Sequence, residues 1–387
     1  MNQQASQNEL MADAAAAGGD LPTALRHLEQ AVAETPNRLE GWMKLASLRR
    51  MGDDIGGALA ALSQALRIAP LDFSALLAKA MLLERAGDEA ASGQAFGHAL
   101  AQRPPAEKLP PAMRAMTEHA ERRYADYQAK LLDRLRADDR GAGENAAEAR
   151  RIERFRTNIA RTTQVYHSEP SHFHYPGLSE REFHDRETFP WIDALEAARA
   201  EITEDFHRVM AAERAELVPY IQYPADVPLR QWAALNHSKE WTAIHLMRNG
   251  MRIEANARHC PATMALLGAL DQPGIAGCSP NAMFSLLAPG AHIPPHAGVA
   301  NTRLVCHLPL IVPKGCWFRV GAETREWRAG EAWIFDDTIE HEAKNPSDEL
   351  RVILIVDTWH PDLSRSERDA VAAVMEASNI GFGQQGL

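Results

Sequence analysis

The sequence predicts a multidomain α+β protein, with all-α helical repeats in front and a β-sandwich or jelly-roll sheet behind. Three observations predict it. Pro36, Pro70 and Pro104 stand 34 residues apart. Short strand-like runs with turn signals between them crowd the last third of the chain. Near Phe173 the texture shifts from alanine-rich helix to prolines, tryptophans and short apolar runs.

Composition sets the outer limits. The chain has 387 residues, 45% apolar and 24% charged, enough apolar surface for more than one core. Its net charge of −11 argues against a nucleic-acid partner, which needs clustered cations. No apolar run approaches the roughly 20 residues that span a bilayer, so no membrane insertion is expected. The first residues, Met1 to Glu9, lack the basic and apolar parts of a signal peptide. Cys260, Cys278, Cys306 and Cys316 form no C-x-x-C pair, which disfavours zinc and a disulfide scaffold. A reducing cytoplasm fits best.

The front region, residues 1–104, reads as repeats. Gln30-Ala31 recurs as Gln64-Ala65 and loosely as His98-Ala99, and Ala24-Leu25 recurs as Ala58-Leu59. Trp42, Leu45 and Leu48 align with Leu76, Lys79 and Leu82. Gly52-Asp53 recurs as Gly87-Asp88, one residue out of register. A helix pair cannot bury its apolar stripe alone, so neighbours stack, and small residues let their backbones approach. The period and pattern resemble tetratricopeptide repeats, about two and a half of them. Such a stretch implies a protein partner or domain packing.

Residues 105–165 read as a helical connector. A charged helix is expected at about Ala112–Arg136, a break at Asp138 to Gly143, and a second helix from near Glu144 to about Arg161. Residues 166–387 carry the sheet. A helix over about Pro190–Arg214 comes first, with Trp191, Ile192, Leu195, Ala198 and Ile202 at helical spacing. Strands follow at Thr242–Met247, Ala282–Leu287, Arg303–Val312, Cys316–Val320, Glu331–Phe335 and Arg351–Asp357. Pro289-Gly290, Pro313-Lys314-Gly315 and Ala329-Gly330 punctuate them. Strands this short and this close favour a sandwich or jelly roll over βαβ units.

Two of the sixteen histidines stand out. His296 follows Pro294-Pro295, and His341 precedes Arg351 by ten residues. Imidazoles suit Fe(II), and a guanidinium fork suits a carboxylate. By spacing alone, a metal pair and two surface histidines fit equally well. His167, His172, His174 and His184 follow no pairing rule and read as surface. His360 reads as a loop residue, His292 as a surface or supporting one, and Cys306 as packed core.

Longer motifs surround this pair. They are His292-Ile-Pro-Pro-His296-Ala-Gly298, Asn301-Thr-Arg303-Leu-Val305-Cys-His307-Leu-Pro-Leu310, Trp327 to Asp337, His341-Glu342, Asn345 to Arg351, and Asp357-Thr-Trp-His-Pro361. Tyr175-Pro-Gly-Leu178, Cys260-Pro-Ala-Thr263 and Phe284-Ser285 precede them. Together these resemble the aspartyl/asparaginyl β-hydroxylase family over roughly residues 165–370. The resemblance implies a double-stranded β-helix (jelly-roll or cupin-like) and an Fe(II)- and 2-oxoglutarate-dependent dioxygenase. It implies His296 and His341 as iron ligands, and Ser285, His307 and Arg351 as contacts to 2-oxoglutarate. Arg303 shares one strand face with Val305 and His307 and keeps a cation there, so it is expected to contact a substrate carboxylate, its alternative being a structural ion pair. Trp241 is implied at the substrate cleft, its alternative being core. O2 and an unidentified peptide or small molecule would be the partners, the latter hydroxylated at an unactivated C–H, foremost the β-carbon of an Asp or Asn residue or of a related small molecule, with succinate and CO2 as co-products.

This sequence departs from common patterns twice. Many oxygenases of this kind place an acid two residues after the first histidine, where this chain has Gly298. Water in the gap, chloride in an iron halogenase, and an inactive repeat-bearing scaffold that only binds a ligand are the readings that follow. Asp336 and Asp337 would serve as turn and supporting residues before His341, their alternative being a substitute ligand. Val305 stands where family members can carry arginine, which puts the contacts to substrate or cosubstrate there in doubt.

Overall fold

The computed structural model of the chain describes residues 3–137, 143–212, 217–222, 224, 229, 233 and 235–378. The break expected at Asp138 to Gly143 lies almost wholly outside them, as does the end of the helix expected to reach Arg214. Two compact units are present, Met1–Thr163 and Gln164–Leu387.

The first unit opens with three helix pairs. They are α1 (Gln3–Ala17) with α2 (Leu21–Glu34), α3 (Leu39–Met51) with α4 (Ile55–Ile68), and α5 (Phe73–Arg85) with α6 (Glu89–Leu100). This is the helix–turn–helix unit of a tetratricopeptide array, in three copies rather than two and a half. The second helices pack through repeating small residues. Ala31, Ala65 and Ala99 are fully buried, one turn past Leu28, Leu62 and Phe96. The register of the turns is set by aspartates. Asp20, Asp54 and Asp88, spaced by the period, cap α2, α4 and α6 by accepting from the backbone N–H of Thr23, Gly57 and Ala91. The residue before each cap is left-handed: Gly19 at φ 80°, Asp53 at 61° and Gly87 at 79°. Asp54 therefore aligns with Asp88, and the expected match of Gly52-Asp53 to Gly87-Asp88 was one residue out because Asp53 fills a glycine's place. Two further helices, α7 (Pro111–Ala137) and α8 (Ala146–Ile159), complete this unit, with α7 packed on α6. Gly93 and Gly97 of α6 receive the rings of Tyr127 and Tyr124, which any Cβ there would meet below 3 Å.

In the second unit, the helix expected over Pro190–Arg214 is divided at Ala198 into α9 (Ile192–Ala197) and α10 (Arg199–Met210). The helices α11 (Glu254–Ala257), α12 (Pro261–Ala269) and α13 (Arg365–Ala377) follow among the strands. One antiparallel sheet has the order β1 (Val218–Pro219), β2 (Trp241–Arg248), β4 (Ala282–Leu287), β11 (Arg351–Trp359), β6 (Arg303–Ile311) and β9 (Trp333–Phe335), with β3 (Met251–Arg252) on β2. The other is β5 (His292–His296), β10 (His341–Lys344), β7 (Trp317–Val320) and β8 (Glu323–Glu326). The fold is a sandwich of antiparallel sheets, as jelly rolls are.

Strand alternation divides the large sheet's side chains between two cores. Val305, Ile353 and Ile355 join Ile293, Phe318 and Ala343 of the small sheet in the inner core. Leu304, Cys306, Val352, Leu354 and Val356 face Phe206, Ile202 and Leu267 of the helical layer. Among the described residues no helix is long and apolar enough to cross a membrane.

Candidate active site

The inner core is not filled. A pocket between the sheets is lined by Trp241, Ser285, His296, Arg303, His307, His341 and Arg351, the seven residues expected from the sequence to hold metal, cosubstrate or substrate. The period of two explains how: Arg303, Val305 and His307 leave one face of β6, and Arg351, Ile353 and Ile355 leave one face of β11.

His296 and His341 face each other across the β5–β10 pair, ring centroids 4.1 Å apart. Each ring is pinned alike. Nδ1 of His296 donates to the carbonyl of Pro294 at 2.8 Å, and Nδ1 of His341 to that of Ile339 at 3.0 Å. A carbonyl only accepts, so each Nδ1 carries the proton and each Nε2 keeps its lone pair. Burial holds His296 down at about 4 and His341 well below the ordinary histidine value, with the neighbouring His296 pushing the same way. Both are thus neutral at pH 7, the form that binds metals. Among the described residues no group of three or more His, Cys, Asp or Glu is placed to hold a metal. An ion here would rest on two imidazoles and on ligands that are not side chains.

At the other end lies Arg351, 1% exposed. Its guanidinium sits 4.9 Å from the ring of Trp327 and reaches the Ser285 carbonyl at 3.4 Å and hydroxyl at 3.5 Å. No acidic group pairs with it among the described residues, and its Nε has no partner. Burial pulls its pKa down to about 9, so it stays a cation at neutral pH. A buried, unneutralised guanidinium calls for an anion. The Ser285 hydroxyl also accepts from Nε1 of Trp241 at 3.0 Å. Trp241 stacks on Tyr220 at 3.8 Å and lies 5.9 Å from His296, so it is both core and pocket wall. His307 packs against Phe318 and Phe335, is held neutral by burial, and has an unpartnered Nδ1.

Arg303 is engaged differently. Its Nη2 donates to Asp337 at 3.1 Å and its Nη1 to Asp357 at 3.2 Å, all three groups being buried. The structural ion pair weighed from the sequence is therefore present. Asp336 accepts from the Thr338 N–H at 2.9 Å and shapes the turn before His341; burial pushes its carboxyl up to about 7. Asp337 instead lines the pocket beside Gly298. A Cβ at position 298 would lie 2.3 Å from its Oδ2, so its carboxylate occupies the space that a side chain two residues after His296 would need.

Residues 196–361 match the family described as Aspartyl/Asparaginyl beta-hydroxylase. Similar proteins include the mouse and human aspartyl/asparaginyl beta-hydroxylases, each 33% identical over 187 residues. These matches take in 48% of this chain and 25% and 24% of those proteins, so the similarity spans about a quarter of their length. The ornithine lipid ester-linked acyl 2-hydroxylase of Rhizobium tropici is 34% identical over 190 residues, 48% of this chain and 63% of that protein. Among solved structures, the TPR2B-domain:pHsp70 complex of yeast Sti1 shares 16% identity over 33% of this chain and 99% of that one, with a TM-score of 0.28.

Several features of the site and its surroundings escaped sequence reasoning. Tyr220 had no motif to mark it. Trp327 sat within a quoted motif but without a role, and Asp337 was read only as turn or support. Two histidines read as exposed or loop residues are in fact buried: His184 is 9% and His360 1% exposed, their rings 5.3 Å apart. His292 is exposed and pairs with Glu342 at 2.9 Å, outside the pocket lining.

Proposed function

We propose that the pocket hydroxylates an unactivated C–H bond using Fe(II), 2-oxoglutarate and O2. The observation that carries this is the pairing of two buried, neutral imidazoles with an unpaired buried guanidinium in one pocket. The imidazoles suit Fe(II), and Arg351 with Ser285 suits the distal carboxylate of a dicarboxylate cosubstrate. Iron and cosubstrate together would supply the oxidising power. One oxygen atom of O2 enters the product as hydroxyl and the other enters succinate, while 2-oxoglutarate loses CO2. Its decarboxylation provides two of the four electrons that O2 takes up, and the C–H bond provides the rest.

This chain's own residues bind and orient. Pro294 and Ile339 carbonyls fix the two ring orientations. Phe318, Phe335 and Trp241 wall the space between the sheets. His307 stands on the same strand face as Arg303 and would meet the keto-acid end of the cosubstrate. The Asp337 carboxylate beside Gly298 disfavours an anion there, which speaks against a halide-binding variant. The family suggests an Asp or Asn residue, or a related small molecule, as substrate. The repeats would serve a protein partner. Four free cysteines would suit a reducing cytoplasm.

The test is succinate formation from 2-oxoglutarate with Fe(II) in air, alongside a product gaining one oxygen. His296→Ala should abolish both. Retained turnover in that variant, or no succinate with any substrate tried, rejects the reading in favour of an inactive ligand-binding scaffold.

A further inference from the structure

We propose that Asn345 is a positioning residue that sets the length of dicarboxylate the pocket accepts. This rests on the metal and cosubstrate reading above. The two halves of the site stand on different sheets. His296 and His341 belong to β5 and β10, whereas Arg351, Ser285 and Trp241 belong to β11, β4 and β2. No ladder joins the two sheets among the described residues. A dicarboxylate held by a metal at one end and by Arg351 at the other would span the gap between them. Its length must therefore match the separation and offset of the sheets.

Apolar packing alone fixes that offset poorly. Ile293, Phe318 and Ala343 of the small sheet meet Ile353 and Ile355 of the large one, but burial of apolar surface has no direction. Hydrogen bonds do have direction, and Asn345 makes them towards both sheets. It is fully buried and directly follows β10, the strand that His341 opens.

Towards the large sheet, its Nδ2 donates to the carbonyls of Leu287 and Ala288, each at 3.0 Å, and of Glu349 at 2.8 Å. Leu287 ends β4 and is paired with Trp241 on one side and Arg351 on the other. Towards the small sheet, its Oδ1 accepts from the thiol of Cys316, just before β7, at 3.2 Å. Its backbone N–H donates to the carbonyl of Ala291, just before β5, at 3.0 Å. The Ser347 hydroxyl also donates to Oδ1, at 2.6 Å. One residue thus ties the strands of the histidines to the strands that present Arg351 and Trp241. Without the amide the sheets can slide by a fraction of an ångström, and a ligand gripped at both ends senses that shift.

Calorimetric titration of the full Mn(II)-loaded chain with 2-oxoglutarate and with 2-oxoadipate, one methylene longer, tests this without turnover. The protein should bind 2-oxoglutarate the more tightly, and Asn345→Ala should cut that preference about tenfold. A preference unchanged within about twofold, or no preference in the unaltered protein, overturns the proposal. If that variant does not fold, Cys316 decides. Cys316→Ser keeps a donor to Oδ1 and should keep the preference, whereas Cys316→Ala loses the donor and should cut the preference about threefold. Equal ratios in those two variants overturn the assignment. A merely structural role would weaken both diacids alike and leave their ratio unmoved. Failure of the underlying reading looks different: neither diacid would then bind the Mn(II)-loaded protein.

Discussion

At the scale of single residues, the pocket's chemistry comes from what lacks a partner and what has too many. Arg351 lacks an anion, and its value to a ligand lies in its planar fork. Arg351→Lys keeps the charge but loses the fork. It should weaken 2-oxoglutarate binding on the order of tenfold, about 1.4 kcal/mol, measured by calorimetry with Mn(II) present. Gly298 is held by crowding instead. A methyl group there would meet the Asp337 carboxylate, which is itself tied to Arg303. Gly298→Ala should cost about 1–3 kcal/mol of stability in urea denaturation, the range of an overpacked core. A fully stable Gly298→Ala would show that Asp337 yields easily. The two histidines were legible because they sat in long motifs. Asp337 was not, because it sits in a turn and its role depends on Arg303, 34 residues away on β6.

At the scale of elements, legibility followed pattern length. Strands rich in apolar residues, such as Ala282–Leu287, appear with the expected bounds. The histidine-bearing strands β5 and β10 were not foreseen. They are only five and four residues long, and β5 contains Pro294-Pro295, which reads as loop. An edge position lets those prolines stay in a sheet. The helix α13 went unforeseen although Ser364 and Glu367 form a capping box at its start. In the repeats, the small residues were legible but the cap register was not, because Asp53 replaces a glycine. Asp53→Gly should relieve the left-handed strain and raise stability by about 0.5–1 kcal/mol, read from denaturant midpoints. The lost ion pair with Arg85 is exposed and offsets little of this. Asp54→Ala should do the reverse, costing about 1 kcal/mol through the lost cap.

At the scale of the whole molecule, the second unit buries neutral imidazoles, and this ties its stability to pH. Burial lowers His184 to about 3, with His360 adding to the shift, and lowers His245 to about 4, with Arg248 adding to it. The unfolded chain takes up protons near pH 6.5, whereas the folded one refuses them until much lower. The stability from each neutral imidazole is thus fully present above about pH 6.5 and declines as pH falls towards the folded value. Between pH 7 and pH 5 each should account for a loss of about 2 kcal/mol. His245→Asn should flatten the stability profile by that amount in denaturant titrations at the two pH values; an unchanged slope would count against it. The strand β11 carries a further consequence, for tolerance to insertion and deletion. Its odd positions hold Arg351 towards the pocket and its even positions hold Val352, Leu354 and Val356 towards the helices. Losing or gaining one residue inside it would exchange those faces and drive the guanidinium into the helical layer. Sequence drift that changes length is therefore confined to the turns, such as Pro313 to Gly315, while the strand itself can change only by substitution.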